Sequence, residues 1–273
     1  MLVKPLFGFI LLPLFVLASG STAIAQLLVP QSSPSPNKLT IPLTKTDLQA
    51  TEVVGFDDQG RQLTFQIRDA EVDPKDPEQE TYLYTVFYRD NNQTLQNLCR
   101  GDANYAPKAI ALQGSWDNRG AYHPEKKLVT FSCTNGALAK CIRFGYKPWK
   151  TFNGRSLQDY HQACVRMVRA DYCGDGTSHT HDGTLINFYD RLGVRQQGVS
   201  PNMSFEAAWG VDGAQYINHL RWPQELAYVQ RVCPERLAAE GKGINQFSTT
   251  QQVQQNFPSA LVFNDSVVRK PNF

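Results

Sequence analysis

The chain has 273 residues, with 27 Lys and Arg against 25 Asp and Glu for a formal net charge of +2, and 41% of its residues are hydrophobic. A charge this near neutral lacks the basic footprint of nucleic-acid binders, so no nucleic-acid partner is expected. The composition is that of a folding chain long enough to bury a sizeable core.

The first segment reads as a secretory signal peptide over 1–25. Lys4 supplies the positive charge, Leu6 to Leu17 form a short apolar run, and Ala23-Ile24-Ala25 offers a small-x-small cleavage site before Gln26. No cysteine follows the run, so a lipid anchor is not expected, and no later segment is apolar enough to span a bilayer. Residues 26–48, with Pro30, Pro34 and Pro36 among serines, read as a flexible linker. The expected compartment is therefore the periplasm or the medium.

Strand signals follow. Val53–Phe56 and Leu63–Ile67 alternate about an Asp57-Asp58-Gln59-Gly60 turn, and Tyr82–Tyr88 is rich in aromatic and β-branched residues. Between them, residues 69–80 hold six acids and one lysine and read as a solvated loop with no metal-ligand spacing. Further strands are expected at 109–116 and 127–133. A helix capped by Asn135 should then run from Gly136 to a stop at Gly145. A second helix starts near Ser156, its apolar stripe formed by Leu157, Tyr160, Cys164, Met167 and Val168. His161, one residue from that stripe, reads as a partly buried helix residue rather than a ligand.

Leu185–Tyr189 reads as a strand, Phe205–Trp209 and Ala214–Ile217 as a hairpin, and Pro223 opens a helix reaching Val232. The pattern defines an α+β fold: an antiparallel β-rich domain with two or three inserted helices, stabilised by disulfides. One domain over 49–240 is expected, with a C-terminal tail at 241–273. Asn92-Gln93-Thr94, Asn202-Met203-Ser204 and Asn264-Asp265-Ser266 match the N-glycosylation triplet, which a bacterial source would leave unmodified.

All six cysteines follow the signal peptide, and an even count in an exported chain reads as disulfides. Cys164 and Cys173 would lie roughly 13 Å apart on one helix, beyond disulfide reach, and Cys133–Cys141 is unfavourable for the same reason. Of the 15 connectivities roughly ten remain. Among these the preferred set is Cys99–Cys133, Cys141–Cys164 and Cys173–Cys233. With every cysteine bonded, a catalytic thiol is not expected.

The segment Val165-Arg166-Met167-Val168-Arg169-Ala170-Asp171-Tyr172-Cys173-Gly174-Asp175-Gly176 resembles the bacterial ADYC domain, named for the tetrapeptide at 170–173. Gly136–Cys141 and Phe144–Trp149 fit the same family, and the similarity runs over about 95–235. The resemblance implies an exported bacterial protein. It brings no activity, so no catalytic residue can be carried over.

Chemistry concentrates in the loop from Asp171 to Thr184. The candidate binding residues are Asp171, Asp175, His179, His181 and Asp182. Counted as a calcium loop, position 3 is Cys173 and position 12 the short Asp182, a poor match. His179-x-His181 with Asp175 forms a zinc-like alternative. The plainer expectation gives the two Asp-Gly pairs to turns and makes Asp171 a staple. Its charge, unfavourable at a helix C-terminus, would be offset by loop N–H groups or by Arg143 or Arg169. No cofactor is assigned on this basis, with zinc or calcium as the weaker alternatives.

Residues 126–169 carry nine basic residues against Asp159, interleaved with aromatic rings, a composition suited to an anionic envelope polymer or glycan. The competing expectation buries those rings and solvates the cations. No complete catalytic constellation is present. The expected function is thus an exported, disulfide-bonded binding or structural module of the cell envelope. A metal-dependent envelope hydrolase using Asp175, His179 and His181 is the alternative.

Overall fold

The computed structural model describes residues 24–28, 52–56, 61–90, 92–101, 107–126, 128–238 and 250–269. The predicted signal peptide up to residue 23 and most of the predicted linker lie outside them. Ile24–Leu28 form strand β1, so the linker assignment is corrected for Gln26–Leu28, and Ile24 and Ala25, the last two residues of the predicted signal peptide, pair with Ser132 and Phe131 in the same strand. This strand lies antiparallel between β2 (Glu52–Phe56) and β9 (Leu128–Cys133).

The first sheet runs β3-β2-β1-β9-β6-β4-β5, with β3 (Gln62–Val72) also paired to β4 (Tyr82–Arg89), so it curls round on itself. Its other members are β5 (Leu95–Asn97) and β6 (Ala109–Gln113), and β7 (Ser115–Trp116) pairs separately with β8 (Tyr122–His123). The predicted strand 109–116 breaks at Gly114, whose φ of +98° only glycine adopts without strain. Phe65, Ile67, Tyr84, Val86 and Phe131 fill the interior, and Cys99–Cys133 ties β9 to the segment after β5.

Helix α1 (Ala137–Arg143) follows β9 directly. Its N-cap is Gly136 rather than Asn135, and Ser132 Oγ accepts from Ala139 N at 3.3 Å. Gly145 ends it as expected, with φ +102°. After a small β10–β11 hairpin (Thr151–Phe152, Arg155–Ser156), α2 spans Gln158–Arg169. Cys141–Cys164 bolts α1 to α2.

The expected single apolar stripe on α2 is corrected: every residue from Tyr160 to Met167 is buried, including His161, Gln162 and Arg166. The cause is position, because one core cluster joins α2 to Ile110 and Leu112 of the first sheet and to Trp209 and Val262 of a second. Polar residues on the helix therefore need partners. His161 Nε2 contacts Leu138 O at 3.0 Å, Gln162 accepts from Trp116 Nε1 at 3.0 Å, and burial lowers the His161 pKa to about 4.

The second sheet has the order β12-β15-β13-β14, built from Ile186–Asp190, Val262–Val267, Met203–Gly210 and Gly213–Ile217. Leu226–Val232 form α3 after a 3-10 turn at Pro223–Glu225, and Thr250–Asn256 form α4. Every strand pairing in both sheets is antiparallel, as the α+β expectation requires. The tail assignment at 241–273 is corrected. Its last strand is central in the second sheet, with Phe263 and Asn264 fully buried. The Asn-Asp-Ser triplet gave no sign of this, because polar residues inside a strand carry no local mark of burial.

The expectation of a solvated acidic loop is corrected as well. Residues 69–72 belong to β3, Asp73 and Asp76 are buried, and all six acids meet cations. Lys108 serves Asp69 and Glu71, and Arg143 grips Asp73 through Nε and Nη2 at 2.7 and 3.2 Å. Lys147 reaches Asp76, Glu78 and Glu80 within 2.9 Å, and Lys150 shares the last two. The acidic and basic segments of the sequence thus answer each other across the junction of the first sheet with α1.

Candidate functional site

The 171–184 loop leaves the end of α2, where four carbonyls lack helical partners. All are met. Ala170 adopts φ 50°, ψ 40°, which lets Asp171 N return to Arg166 O at 2.9 Å and Ala170 N to Met167 O at 3.0 Å. Arg221 donates to Met167 O and Val168 O at 3.0 and 3.4 Å, and His179 N and Ser178 Oγ both reach Arg169 O at 3.0 Å. The guanidinium of Arg221 also suits the negative end of the helix dipole.

Each residue of the tetrapeptide has a distinct fastening role. Ala170 turns the chain, its methyl fully buried. Asp171, also fully buried, accepts from Arg166 Nη1 at 2.5 Å and from Gly176 N at 3.1 Å. The partner is Arg166 rather than the expected Arg143 or Arg169. A separation of five along the chain does not bring two residues together inside a helix, but it does across the left-handed turn at Ala170. Arg169 instead donates to Gly176 O. Burial raises the Asp171 pKa against the pull of Arg166.

Tyr172 is fully buried, stacked on Trp209 with centroids 5.2 Å apart. Its hydroxyl donates to Glu206 Oε1 at 3.0 Å and accepts from Arg221 N at 2.9 Å. Burial holds the phenol far above its usual pKa, so it acts as a neutral donor. Burial would also raise Glu206, but Arg221, Ser266 and Asn264 outweigh it and keep the carboxylate ionised. Glu206 sits at a register shift of β13 between Phe205 and Ala207, and such a bulge re-aims a side chain. Cys173 completes the set through Cys233, closing a separation of 60 residues worth about 4 kcal/mol in the chain-entropy account.

Further out, the candidate binding residues part company. Asp175 accepts from Thr177 N at 2.9 Å and from Tyr228 Oη at 2.7 Å. Burial would raise its pKa, but these bonds bring it below the ordinary value. His179 is buried against Tyr172 and Tyr228, its Nδ1 2.7 Å from Glu225 Oε2. His181 is exposed and meets Trp222 edge-on at 4.4 Å, while Arg269 covers the Trp222 ring at 3.9 Å. Asp182 is exposed.

Neither metal geometry is assembled. His179 and His181 turn to different neighbours, Asp171 faces an arginine, and among the described residues no three His, Cys, Asp or Glu side chains gather as metal ligands. The His179–Glu225 pair would orient an imidazole for proton transfer. The ring is closed off, however, and the neighbouring hydroxyls are committed elsewhere: Thr177 to Tyr228, Ser178 to Arg169 O. What the arrangement does chemically is hold a loop rigid. Arg166, Glu206, Arg221, Glu225 and Tyr228 complete it, and none carries a local sequence signal because their contacts bridge separations of 5 to 54 residues.

All three preferred disulfides are formed, with Cα atoms 5.4, 5.9 and 5.5 Å apart, and no described cysteine is free. A disulfide-fastened helix and loop docked between two antiparallel sheets define the class. The chain matches the model of the ADYC domain over residues 45–223 and belongs to that family. The match takes in β2, β3 and β4, which the resemblance left out, but not β1, and stops short of 235. No curated protein and no solved structure matches the chain.

Proposed function

We propose that this protein is exported and serves as a non-enzymatic binding module of the cell envelope, presenting the 171–184 loop as part of its recognition surface. The observation that carries this is the division of the loop into a pinned half and a displayed half. Asp171, Tyr172, Cys173, Asp175 and His179 are each bonded inward. His181 and Asp182 are exposed, as is Leu185 just past the loop at 75%, and His181 meets the Trp222 ring that Arg269 covers.

Fixing a loop before binding reduces the ordering cost of association. Three disulfides fit an oxidising compartment, where such bonds persist, and no helix among the described residues is long and apolar enough to cross a membrane. The expected ligand is an anionic envelope glycan, met by His181, Trp222 and Arg269 rather than by the basic segment 126–169. Within that segment Arg143, Lys147, Lys150, Arg166 and Arg169 are engaged internally.

Co-sedimentation with insoluble bacterial cell-wall polymer tests the reading. Retention is expected, reduced at least several-fold by a combined His181→Ala and Arg269→Ala variant of unchanged melting temperature. Absence of retention, or equal retention by the variant, refutes it.

A further inference from the structure

The family match ends at residue 223, yet the second sheet is completed by β15 at 262–267. Its flanking strands β12 and β13 lie inside the matched region and pair with β15 rather than with each other. Strands either side of a third stand about 9–10 Å apart, twice the inter-strand spacing. Residues 191–202 connect β12 to β13 around this slot, so the family domain contains a groove one strand wide that the chain fills from outside the match.

The groove reads the side chains of its occupant. Asn264 Nδ2 donates to Glu206 Oε2 at 2.9 Å, and Trp209 Nε1 donates to Asn264 Oδ1 at 2.7 Å. All three residues are fully buried. Asp265 accepts from Tyr189 Oη at 3.1 Å and Asn187 Nδ2 at 2.8 Å, and Ser266 Oγ lies 3.1 Å from His219 Nε2. Phe263 stacks on Tyr189 at 5.9 Å. Upstream, Arg191 donates to the carbonyls of Gln254, Phe257 and Ala260, and Phe257 stacks on Tyr216 at 4.9 Å. Every one of these readers lies within 45–223.

Main-chain pairing alone would accept any strand; paired polar readout at Asn264, Asp265 and Ser266 is what a specific peptide site requires, because a mismatched occupant strands the buried Trp209 N–H and removes one of the donors to Glu206. We propose that the groove between β12 and β13 is a peptide-binding site for an extended Phe-Asn-Asp-Ser segment, and that residues 250–269 are its ligand, held in cis and exchangeable with the same segment supplied in trans.

The test uses the full chain, folded with a protease site placed within residues 241–248 and cleaved afterwards. The released end should co-elute with the body of the protein. After mild urea and dilution, a fluorescent peptide of residues 250–269 should replace it at one per chain. The Asn264→Ala peptide loses two buried hydrogen bonds, one to an ionised group, and should bind about 100-fold more weakly. A Val267→Ala peptide, changed at a 38% exposed position, should bind within about 3-fold of the original. The proposal is overturned if the cleaved end leaves a body that keeps its native circular dichroism. It is equally overturned if labelled peptide never enters on joint refolding, or if Asn264→Ala competes as well as the original.

Discussion

Replacing Tyr172 by Phe removes one oxygen from the centre of the molecule and nothing else. That oxygen donates to ionised Glu206 and accepts from Arg221 N, at 3.0 and 2.9 Å, with all three residues at most 2% exposed. A hydrogen bond to a charged group contributes ~1.5–3 kcal/mol, and stranding a buried N–H costs ~1–3 kcal/mol. Glu206 keeps donors from Arg221 Nε, Arg221 Nη2 and Asn264 Nδ2, so its own loss falls at the lower end. The expected destabilisation is about 3 kcal/mol. In a chain of this size that lowers the melting temperature by about 6–12 °C. Urea unfolding without reductant, followed by far-ultraviolet circular dichroism and by the fluorescence of Trp209 stacked on Tyr172, measures it. A loss under about 1 kcal/mol would show that the buried network is not what fastens the loop.

Three further outcomes follow from the same contacts. Gly174→Ala should cost ~2 kcal/mol or more in urea unfolding, since φ is +70° and the new Cβ would lie 1.9 Å from Asp212 O. His179→Ala should cost ~2 kcal/mol, while His181→Ala stays within ~0.5 kcal/mol, a contrast calorimetry resolves. Acid should unravel the Lys147 network. Hydrogen bonding to Lys147 and Lys150 lowers Glu78 from 4.5 to about 2, so its stabilisation is present above pH 4.5 and lost as pH falls through about 2. Urea midpoints measured between pH 5 and 2 should therefore fall less steeply in Lys147→Met; equal slopes would remove the network from the acid response.

Local pattern made much of the fold legible. Hairpins at 52–67 and 203–217, both long helices and the Pro223 turn follow from side-chain periodicity and turn residues, which act over a few positions. The cysteine pairs were narrowed by distance along helices. His179 was legible as a candidate but not as a buried residue, because His-x-His spacing is silent about which neighbour each ring meets. The acidic segment 69–80 looked solvated because charge density is the usual mark of a wet loop. Its partners Arg143, Lys147 and Lys150 lie 67 to 72 residues away, where no sequence window reaches.

By itself, the sequence determined most of the secondary elements between residues 52 and 232, their antiparallel class, a shortened set of cysteine pairings and the turn-rich loop after the second helix, since each depends on short-range backbone preference or on the count and spacing of cysteines. Only the tertiary structure decided that Arg166 answers Asp171, that a bulge turns Glu206 toward Arg221 and Asn264, and that the last strand fills the middle of a sheet. Those outcomes rest on burial. A charge taken out of water must find its partner wherever the fold brings one, and that choice is made in space rather than along the chain.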